Sequence, residues 1–265
     1  MEKYNHNFKK KFGQNFLSDV SIVQKIVELS DIKSSSLVIE VGPGGAILTR
    51  ELAKVADNVL AYEVDTDLKS TLQEKLKDYS NVEIKFQDFL TSDILEDIKK
   101  YEYKHIYFVS NVPYYITTPI IMKLISSNIC FDNIVMMVQH EVATRFSTLP
   151  GNKNYGSITV FLNYYYDIKS LMFVPREEFV PVPNVDSEVI SLIPKKELLY
   201  LKDFSVFEKL IKDSFQFKRK NLKNNLAGYP LDVIERILNK YNLSLSSRAE
   251  EVSVLVFVKI ANEIC

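Results

Sequence analysis

Residues 38–45 of this 265-residue chain read Val-Ile-Glu-Val-Gly-Pro-Gly-Gly, an apolar run that ends in a glycine-rich turn. The run predicts a buried strand over residues 37–41, and the pattern after the turn predicts a helix over residues 47–55. Glycine lets the backbone turn tightly and approach a ligand without a Cβ in the way. A strand, a glycine turn and a helix in this order are typical of the start of an α/β nucleotide-binding domain.

The sequence beyond this turn alternates apolar runs with amphipathic stretches. Four more strands are predicted, at residues 59–63, 82–86, 105–110 and 133–138. Helices are predicted at residues 67–77 and 119–126. This alternation predicts a parallel sheet with helices on both faces, and such sheets bind ligands beyond the carboxyl ends of their strands.

The pattern changes after about residue 155. Residues 157–166, 169–173 and 189–193 are interpreted as strands, the first two forming an antiparallel hairpin at the sheet edge. Helical spacing follows at residues 204–217, 230–241 and 252–264. We therefore predict a large α/β domain over residues 1–195 and a small all-helical domain over residues 196–265.

Composition excludes several classes of protein. The chain is 46% hydrophobic and 25% charged, which suffices for a globular core. Cys130 and Cys265 are too few for a disulfide framework, and the three histidines are scattered, so no metal site is expected. No apolar run reaches the ~18 residues that a membrane span needs. These features favour a soluble, cytoplasmic protein.

Basic residues are clustered although the net charge is only -1. One cluster is Lys9–Lys11. The other comprises Lys218, Arg219, Lys220 and Lys223. A charge run is usually a solvated face. Phe215 and Phe217 adjoin the second cluster, and this mixture suits contact with a nucleic-acid backbone.

Acidic residues follow two further strands. Glu63 ends the second predicted strand, where a carboxylate can accept hydrogen bonds from the ribose hydroxyls of an adenosine-containing cofactor. Asp88 follows the third strand, where it could accept from an adenine amino group. The dinucleotide fingerprint G-x-G-x-x-G fits badly, because residue 47 is Ile. The cofactor is therefore an adenosine compound, with NAD and S-adenosylmethionine both open.

The fourth strand ends in Asn111-Val112-Pro113-Tyr114-Tyr115. Asn and Pro favour a strand-ending turn, which is the purely structural interpretation. The functional one is that the Asn111 side-chain oxygen and the Val112 or Pro113 carbonyl each accept one N6–H of an adenine. Together they would direct the nitrogen lone pair at a methyl donor by positioning and preorganised electrostatics. Tyr114 could stack on a base that has left its helix.

These motifs resemble the KsgA/Dim family of rRNA adenine dimethyltransferases, which is related to the Erm enzymes. The resemblance runs nearly end to end. Besides Asn-Val-Pro-Tyr, it is carried by four segments, residues 11–17 (Lys-Phe-Gly-Gln-Asn-Phe-Leu), 139–143 (Gln-His-Glu-Val-Ala), 155–157 (Tyr-Gly-Ser) and 179–187 (Phe-Val-Pro-Val-Pro-Asn-Val-Asp-Ser).

The resemblance implies a Rossmann-like class I methyltransferase fold, with a seven-stranded mixed sheet and a helical C-terminal domain that binds RNA. The implied cofactor is S-adenosyl-L-methionine, with S-adenosyl-L-homocysteine as product. Implied cofactor contacts are Asn15, Leu17, Gly42, Glu63, Asp88 and Asn111. Implied catalytic residues are Asn111, Pro113, Tyr114 and Phe179, the last stacking on the base opposite Tyr114.

The chain departs from the family pattern at two positions. Ala46 stands where the family usually has glycine, which slightly narrows the room near the cofactor. Val112 replaces the usual Leu, a conservative change if its role is packing. Neither change removes a group that the chemistry needs.

Three functions remain to be compared. A KsgA-type enzyme would dimethylate two adjacent adenosines near the 3′ end of small-subunit rRNA, act on an immature small ribosomal subunit as a monomer and take part in its assembly. An Erm-type enzyme would dimethylate one adenine of large-subunit rRNA and confer antibiotic resistance. A noncatalytic RNA- or DNA-binding factor could use the same fold. The segment 215–226 favours the first, because its basic residues, Leu and Asn resemble those of KsgA.

Overall fold

The computed structural model describes residues 16–265 of the chain. Two sheets are present in this range, one of seven strands and one of two. The strands are β1 (Phe16–Leu17), β2 (Ser36–Val41), β3 (Asn58–Tyr62), β4 (Val82–Lys85), β5 (His105–Asn111), β6 (Asn133–Gln139), β7 (Tyr166–Val174), β8 (Phe179–Val180) and β9 (Ser187–Pro194).

The large sheet has the strand order β4-β3-β2-β5-β6-β9-β7. The first five of these strands are parallel to one another, and β9 pairs antiparallel with β6. The carboxyl ends of β2, β3, β4 and β5 therefore meet at one edge of the sheet, where the chain order reverses on either side of β2. The predicted α/β fold with a seven-stranded mixed sheet is confirmed.

Apolar residues of the strands form the core on both faces of this sheet. All six residues of β2 are buried, as expected of a central parallel strand covered on both faces. Helices alternate with the strands along this part of the chain, and they are α1 (Val20–Leu29), α2 (Ile47–Ala53), α3 (Lys69–Leu76), α4 (Ile94–Ile98), α5 (Thr117–Ser126) and α6 (His140–Ser147). No helix within residues 16–265 has the length and apolar character needed to cross a membrane.

The chain divides into two compact units. The first contains the described residues up to Ala143 together with Lys169–Pro194, and the second contains Thr144–Ile168 with Lys195–Cys265. The helices of the second unit are α7 (Ser157–Tyr165), α8 (Phe204–Ser214), α9 (Leu222–Asn225), α10 (Leu231–Asn239) and α11 (Val254–Ile264). Their apolar faces share one core.

The prediction of a strand over residues 157–166 is wrong, because Ser157–Tyr165 forms the helix α7. This segment is rich in β-branched and aromatic residues, which favour strands in a sequence pattern. Its consecutive residues Thr159–Leu162 are all buried, so the helix has no polar face to reveal the 3.6-residue period. The edge strand β7 begins only after this helix.

The prediction of a single domain boundary near residue 196 also needs a correction. Residues 195–265 do lie in the helical unit, but Thr144–Ile168 belongs to it as well. The reason is that α7 contributes Val160, Phe161 and Tyr164 to the helical core. The helical unit is therefore built from two separate segments of the chain.

Glu40 of β2 should make stability depend on pH. It is 1% exposed, and its Oε2 has no hydrogen-bond partner within residues 16–265. Burial raises the pKa of Glu40 from its ordinary 4.5 to about 8. Between these values the folded chain keeps a proton that the unfolded chain releases. The free energy of unfolding therefore falls as pH rises from about 4.5 to 8, by up to ~1.4 kcal/mol per pH unit.

Replacing Glu40 by glutamine should remove this contribution to the pH dependence. Urea denaturation at pH 5 and pH 8 measures it for the wild type, Glu40→Gln and the exposed matched control Glu74→Gln. The free energy of unfolding should differ less between pH 5 and pH 8 in Glu40→Gln than in the wild type, and Glu74→Gln should behave like the wild type. Equal pH dependence in all three proteins would show that Glu40 does not carry the effect.

Candidate active site

The glycine turn after β2 forms the floor of a cavity in the first unit. Gly42 and Gly44 have φ angles of +73° and +50°, a region that favours glycine. A Cβ at Gly44 would also overlap the Phe16 ring. The turn therefore needs glycine at residue 44 for two independent reasons.

Ala46 ends this turn as the residue before α2 and has a φ of +62°. Its side chain is fully buried against Leu68, Leu72 and Leu76 and does not line the cavity. The expectation that it narrows the room for a cofactor is therefore wrong. Alanine at this left-handed position instead costs roughly 1 kcal/mol of conformational energy relative to glycine.

The cavity has a volume of about 270 Å³ and lies at the carboxyl ends of β2, β3, β4 and β5. Most of the predicted site residues come together there. Its lining includes Gly42, Glu63, Asp88, Asn111, Pro113 and Tyr114. The lining residues that sequence reasoning did not assign include Phe16, Tyr62, Gln87 and Tyr115.

Glu63 follows β3 and is 5% exposed. Its Oε2 accepts a hydrogen bond from the Gly44 amide at 3.2 Å, and its Oε1 accepts one from the Asp65 amide at 2.8 Å. These bonds fix the carboxylate beside the glycine turn. A carboxylate offers about four acceptor positions, so it can also accept from two ribose hydroxyls. Burial raises the pKa of Glu63.

Asp88 lies on the short loop after β4. Its Oδ1 accepts from the Leu90 amide at 2.9 Å and so begins a turn of 3₁₀ helix. Lys123 of α5 fixes the same loop, because its Nζ donates to the carbonyls of Leu90 and Ser92 at 2.9 and 2.6 Å. No sequence motif marked Lys123.

The Asn-Val-Pro-Tyr segment follows β5. Asn111 is the last residue of the strand, opposite Met137 of β6. The Pro113 carbonyl accepts from the Ile116 amide at 3.1 Å, which turns the chain toward α5. The Tyr114 hydroxyl pairs with the Ser187 hydroxyl, and burial raises the pKa of Tyr114. The Tyr114 ring is thus fixed at the cavity wall.

Two of the predicted cofactor and catalytic residues that the structure describes are not found in the cavity lining. Leu17 and Phe179 face each other across the two-stranded sheet of β1 and β8, and both are buried in the core at 1% and 0% exposure. Base stacking by Phe179 therefore remains a prediction that requires its ring to become uncovered. Asn15, like the cluster Lys9–Lys11, lies outside the described residues.

The predicted RNA-binding residues Lys218, Arg219, Lys220 and Lys223 lie in the second unit. All four are exposed. Lys220 Nζ lies 4.5 Å from the centroid of the Phe217 ring, which is itself 49% exposed. The structure therefore places basic and aromatic groups together on this segment. Within residues 16–265 no cluster of three His, Cys, Asp or Glu residues could hold a metal ion.

The strand order, the glycine turn, the acids after β3 and β4 and the Asn-Val-Pro-Tyr segment after β5 define a Rossmann-like S-adenosylmethionine-dependent methyltransferase. The model of the family "Ribosomal RNA adenine dimethylase" matches residues 5–265. The chain belongs to this family.

Known proteins agree with this assignment. The ribosomal RNA small subunit methyltransferase A of Bacillus mycoides is 40% identical, over 99% of this chain and 93% of that protein. Among solved structures, a dimethyladenosine transferase from Plasmodium falciparum has a TM-score of 0.77 at 25% identity and covers 92% of this chain and 95% of its own. The 23S rRNA methyltransferase ErmE has a TM-score of 0.71 at 27% identity, and the match covers 94% of this chain and 99% of that chain.

Proposed function

We propose that this protein transfers methyl groups from S-adenosylmethionine to N6 of two adjacent adenosines near the 3′ end of small-subunit rRNA, giving N6,N6-dimethyladenosine. The observation that carries this proposal is Asn-Val-Pro-Tyr at the end of β5, in one cavity with Glu63 and Asp88. The relative named small subunit methyltransferase A supports the choice of substrate.

The cavity residues suit the cofactor by their chemistry. The glycine turn admits a close approach of the backbone, Glu63 presents a fixed carboxylate to ribose hydroxyls, and Asp88 presents an acceptor to the adenine amino group. When bound, S-adenosylmethionine supplies a methyl group attached to a positively charged sulfur.

The Asn111 segment acts on the target adenine. We assign one N6–H to the Asn111 side-chain oxygen and the other to the Val112 carbonyl, because the Pro113 carbonyl is directed at the Ile116 amide, from which it accepts. Two acceptors in these positions favour a more tetrahedral nitrogen, whose lone pair then points at the methyl group. The Tyr114 ring, held through Ser187, supports the flipped base by stacking.

Proton removal requires no strong base in this scheme. The N6 nitrogen becomes acidic once it carries the added methyl group, and the same acceptors can hold its proton until water takes it. The catalytic contribution of the protein is therefore orientation and electrostatic preorganisation.

The partner we propose is an immature small ribosomal subunit, bound by a monomer in the cytoplasm. The exposed residues Phe217–Lys220 and Lys223 support an RNA partner, because cations and an exposed ring suit phosphate and base contacts. The alternative is an Erm-type reaction on large-subunit rRNA, which the likeness to ErmE supports. The resemblance of residues 215–226 to KsgA favours the small subunit.

Reversing the charges of Lys218, Arg219 and Lys220 to glutamate should weaken binding to small-subunit particles at least ~10-fold at low salt. The salt dependence of binding should also become shallower, since fewer phosphate contacts release fewer counterions. A filter-binding series over salt concentration measures both. The control reverses the exposed residues Lys77, Lys104 and Lys259, and an equal loss in that control would show that only net charge matters.

Labelled S-adenosylmethionine tests the reaction itself. The protein is incubated with undermethylated small subunits and separately with naked large-subunit rRNA, and digested RNA is analysed for N6,N6-dimethyladenosine. Product from the small subunit alone supports the proposal. Product from large-subunit rRNA would assign an Erm-type reaction, and product from neither would favour a noncatalytic factor.

A further inference from the structure

We propose that His140 and Phe173 form a stacking platform for an unpaired nucleobase that flanks the target adenosine. The inference rests on the proposed function, because it concerns the RNA that the same enzyme methylates. Both residues belong to the first unit, His140 at the start of α6 and Phe173 near the end of β7.

The two rings form an exposed aromatic pair. Their centroids lie 5.5 Å apart with an angle of 83° between the ring planes. Phe173 is 52% exposed, and the His140 side chain is 54% exposed. In such a T-shaped arrangement at least one face of each ring is not covered by the other. The pair therefore offers aromatic surface to a further ring.

A buried carboxylate fixes the His140 ring of this pair. Glu188 is 9% exposed, and its Oε2 lies 2.7 Å from His140 Nδ1. Its Oε1 accepts the hydroxyl hydrogen of Ser170. Exposed apolar side chains are common, but an exposed ring held from below by a buried carboxylate is ordered before any ligand arrives. Ordering in advance lowers the entropy cost of binding, which favours a binding role for the rings.

The platform adjoins the cavity through the start of β9. Glu188 follows Ser187, whose hydroxyl pairs with that of Tyr114. Ser187 lies opposite Gln139, and the next residue is His140, whose amide donates to the Asp186 carbonyl at 3.0 Å. Consecutive strand residues point to opposite faces, so the platform and Tyr114 lie on either side of this strand end. An RNA strand that delivers an adenine to Tyr114 would cross β9 to reach the platform.

The chemistry of the platform suits an unpaired base. Every nucleobase has a π-face, and aromatic side chains including Phe and His stack on bases that are splayed out of single-stranded RNA. A base inside a duplex has its faces covered by its neighbours. The expected ligand is therefore a loop nucleotide next to the target adenosine, recognised by stacking rather than by its sequence.

Steady-state methylation of small subunits by Phe173 variants tests this proposal. Phe173→Leu should raise KM for the particle at least ~5-fold, in line with the ~1 kcal/mol or more that one base stack contributes. The kcat and the Kd for S-adenosylmethionine should stay near wild-type values. Phe173→Trp should restore KM, because it restores an aromatic face, whereas a purely structural role for Phe173 would not distinguish the variants in this way.

Leu95→Ala is the matched control, since Leu95 is another exposed apolar residue of the first unit, at 47% exposure. An unchanged KM in Phe173→Leu, or an equal rise in Leu95→Ala, would overturn the platform. Failure of the proposed function can be told apart from failure of the platform. If the proposed function is wrong, the wild-type protein does not methylate small subunits at all. If it methylates large-subunit rRNA instead, the same KM comparison on that substrate decides whether the platform exists.

Discussion

Asn111→Ala should reduce kcat for methyl transfer by at least ~100-fold. The side-chain oxygen of Asn111 is one of the two acceptors that direct the N6 lone pair at the methyl group, and it sits at the end of β5 where the sheet fixes its backbone. Loss of one preorganised hydrogen-bonding group of this kind costs about 10²–10³-fold in kcat in other enzymes. The effect should fall on the chemical step, since the base can still stack on Tyr114.

Single-turnover methylation of undermethylated small subunits measures this step directly. Asn111→Asp should retain part of the activity, because aspartate keeps an oxygen at the same position. Asn239→Ala, an exposed substitution at the end of α10, controls for the loss of an asparagine. If Asn111→Ala turned over near the wild-type rate with an intact fold, the proposed role of this oxygen would be wrong.

Glu63→Ala should raise the Kd for S-adenosylmethionine by ~10–100-fold. Its buried carboxylate is held by the amides of Gly44 and Asp65 and is placed to accept from ribose hydroxyls. Hydrogen bonds to a charged group contribute ~1.5–3 kcal/mol each, so the loss of even one gives a change of this size. The variant also leaves the Gly44 amide without its acceptor, which loosens the glycine turn.

Titration calorimetry measures this affinity, with the exposed Glu74→Ala as control. The pH dependence provides a second readout. Because burial raises the pKa of Glu63, the carboxylate becomes protonated at a higher pH than an ordinary glutamate, and cofactor affinity should begin to fall there as pH is lowered. Glu63→Ala should lack this decline. An unchanged Kd in the variant would refute the ribose role of Glu63.

The sheet and most of its cavity could be predicted because their signals are local. The buried run before Gly42 and the alternation of strands and helices determine the parallel sheet. Once the strands are parallel, the residues after each of them must meet at one edge. This rule predicts from the sequence alone that Glu63, Asp88 and Asn111 lie close together.

Features that depend on burial from several sides could not be predicted in this way. The helix α7 is apolar on most of its surface, so its composition favours a strand, and only its packing in the helical core shows that it is a helix. Phe179 has a family motif to mark it, but only the structure shows its ring in the core beside Leu17. Lys123 acts on the cavity from a distant segment, and no spacing rule connects it to the site.

The two-segment construction of the helical unit matters for any exchange of parts between relatives. A chimera joined at residue 196 would give α8–α11 of one protein a foreign α7, because Thr144–Ile168 would stay with the other parent. Val160, Phe161 and Tyr164 would then meet a core that evolved against different side chains. If Thr144–Ile168 and Lys195–Cys265 are exchanged together, all residues of that core come from one parent. A change in substrate preference can then be assigned to one unit or the other.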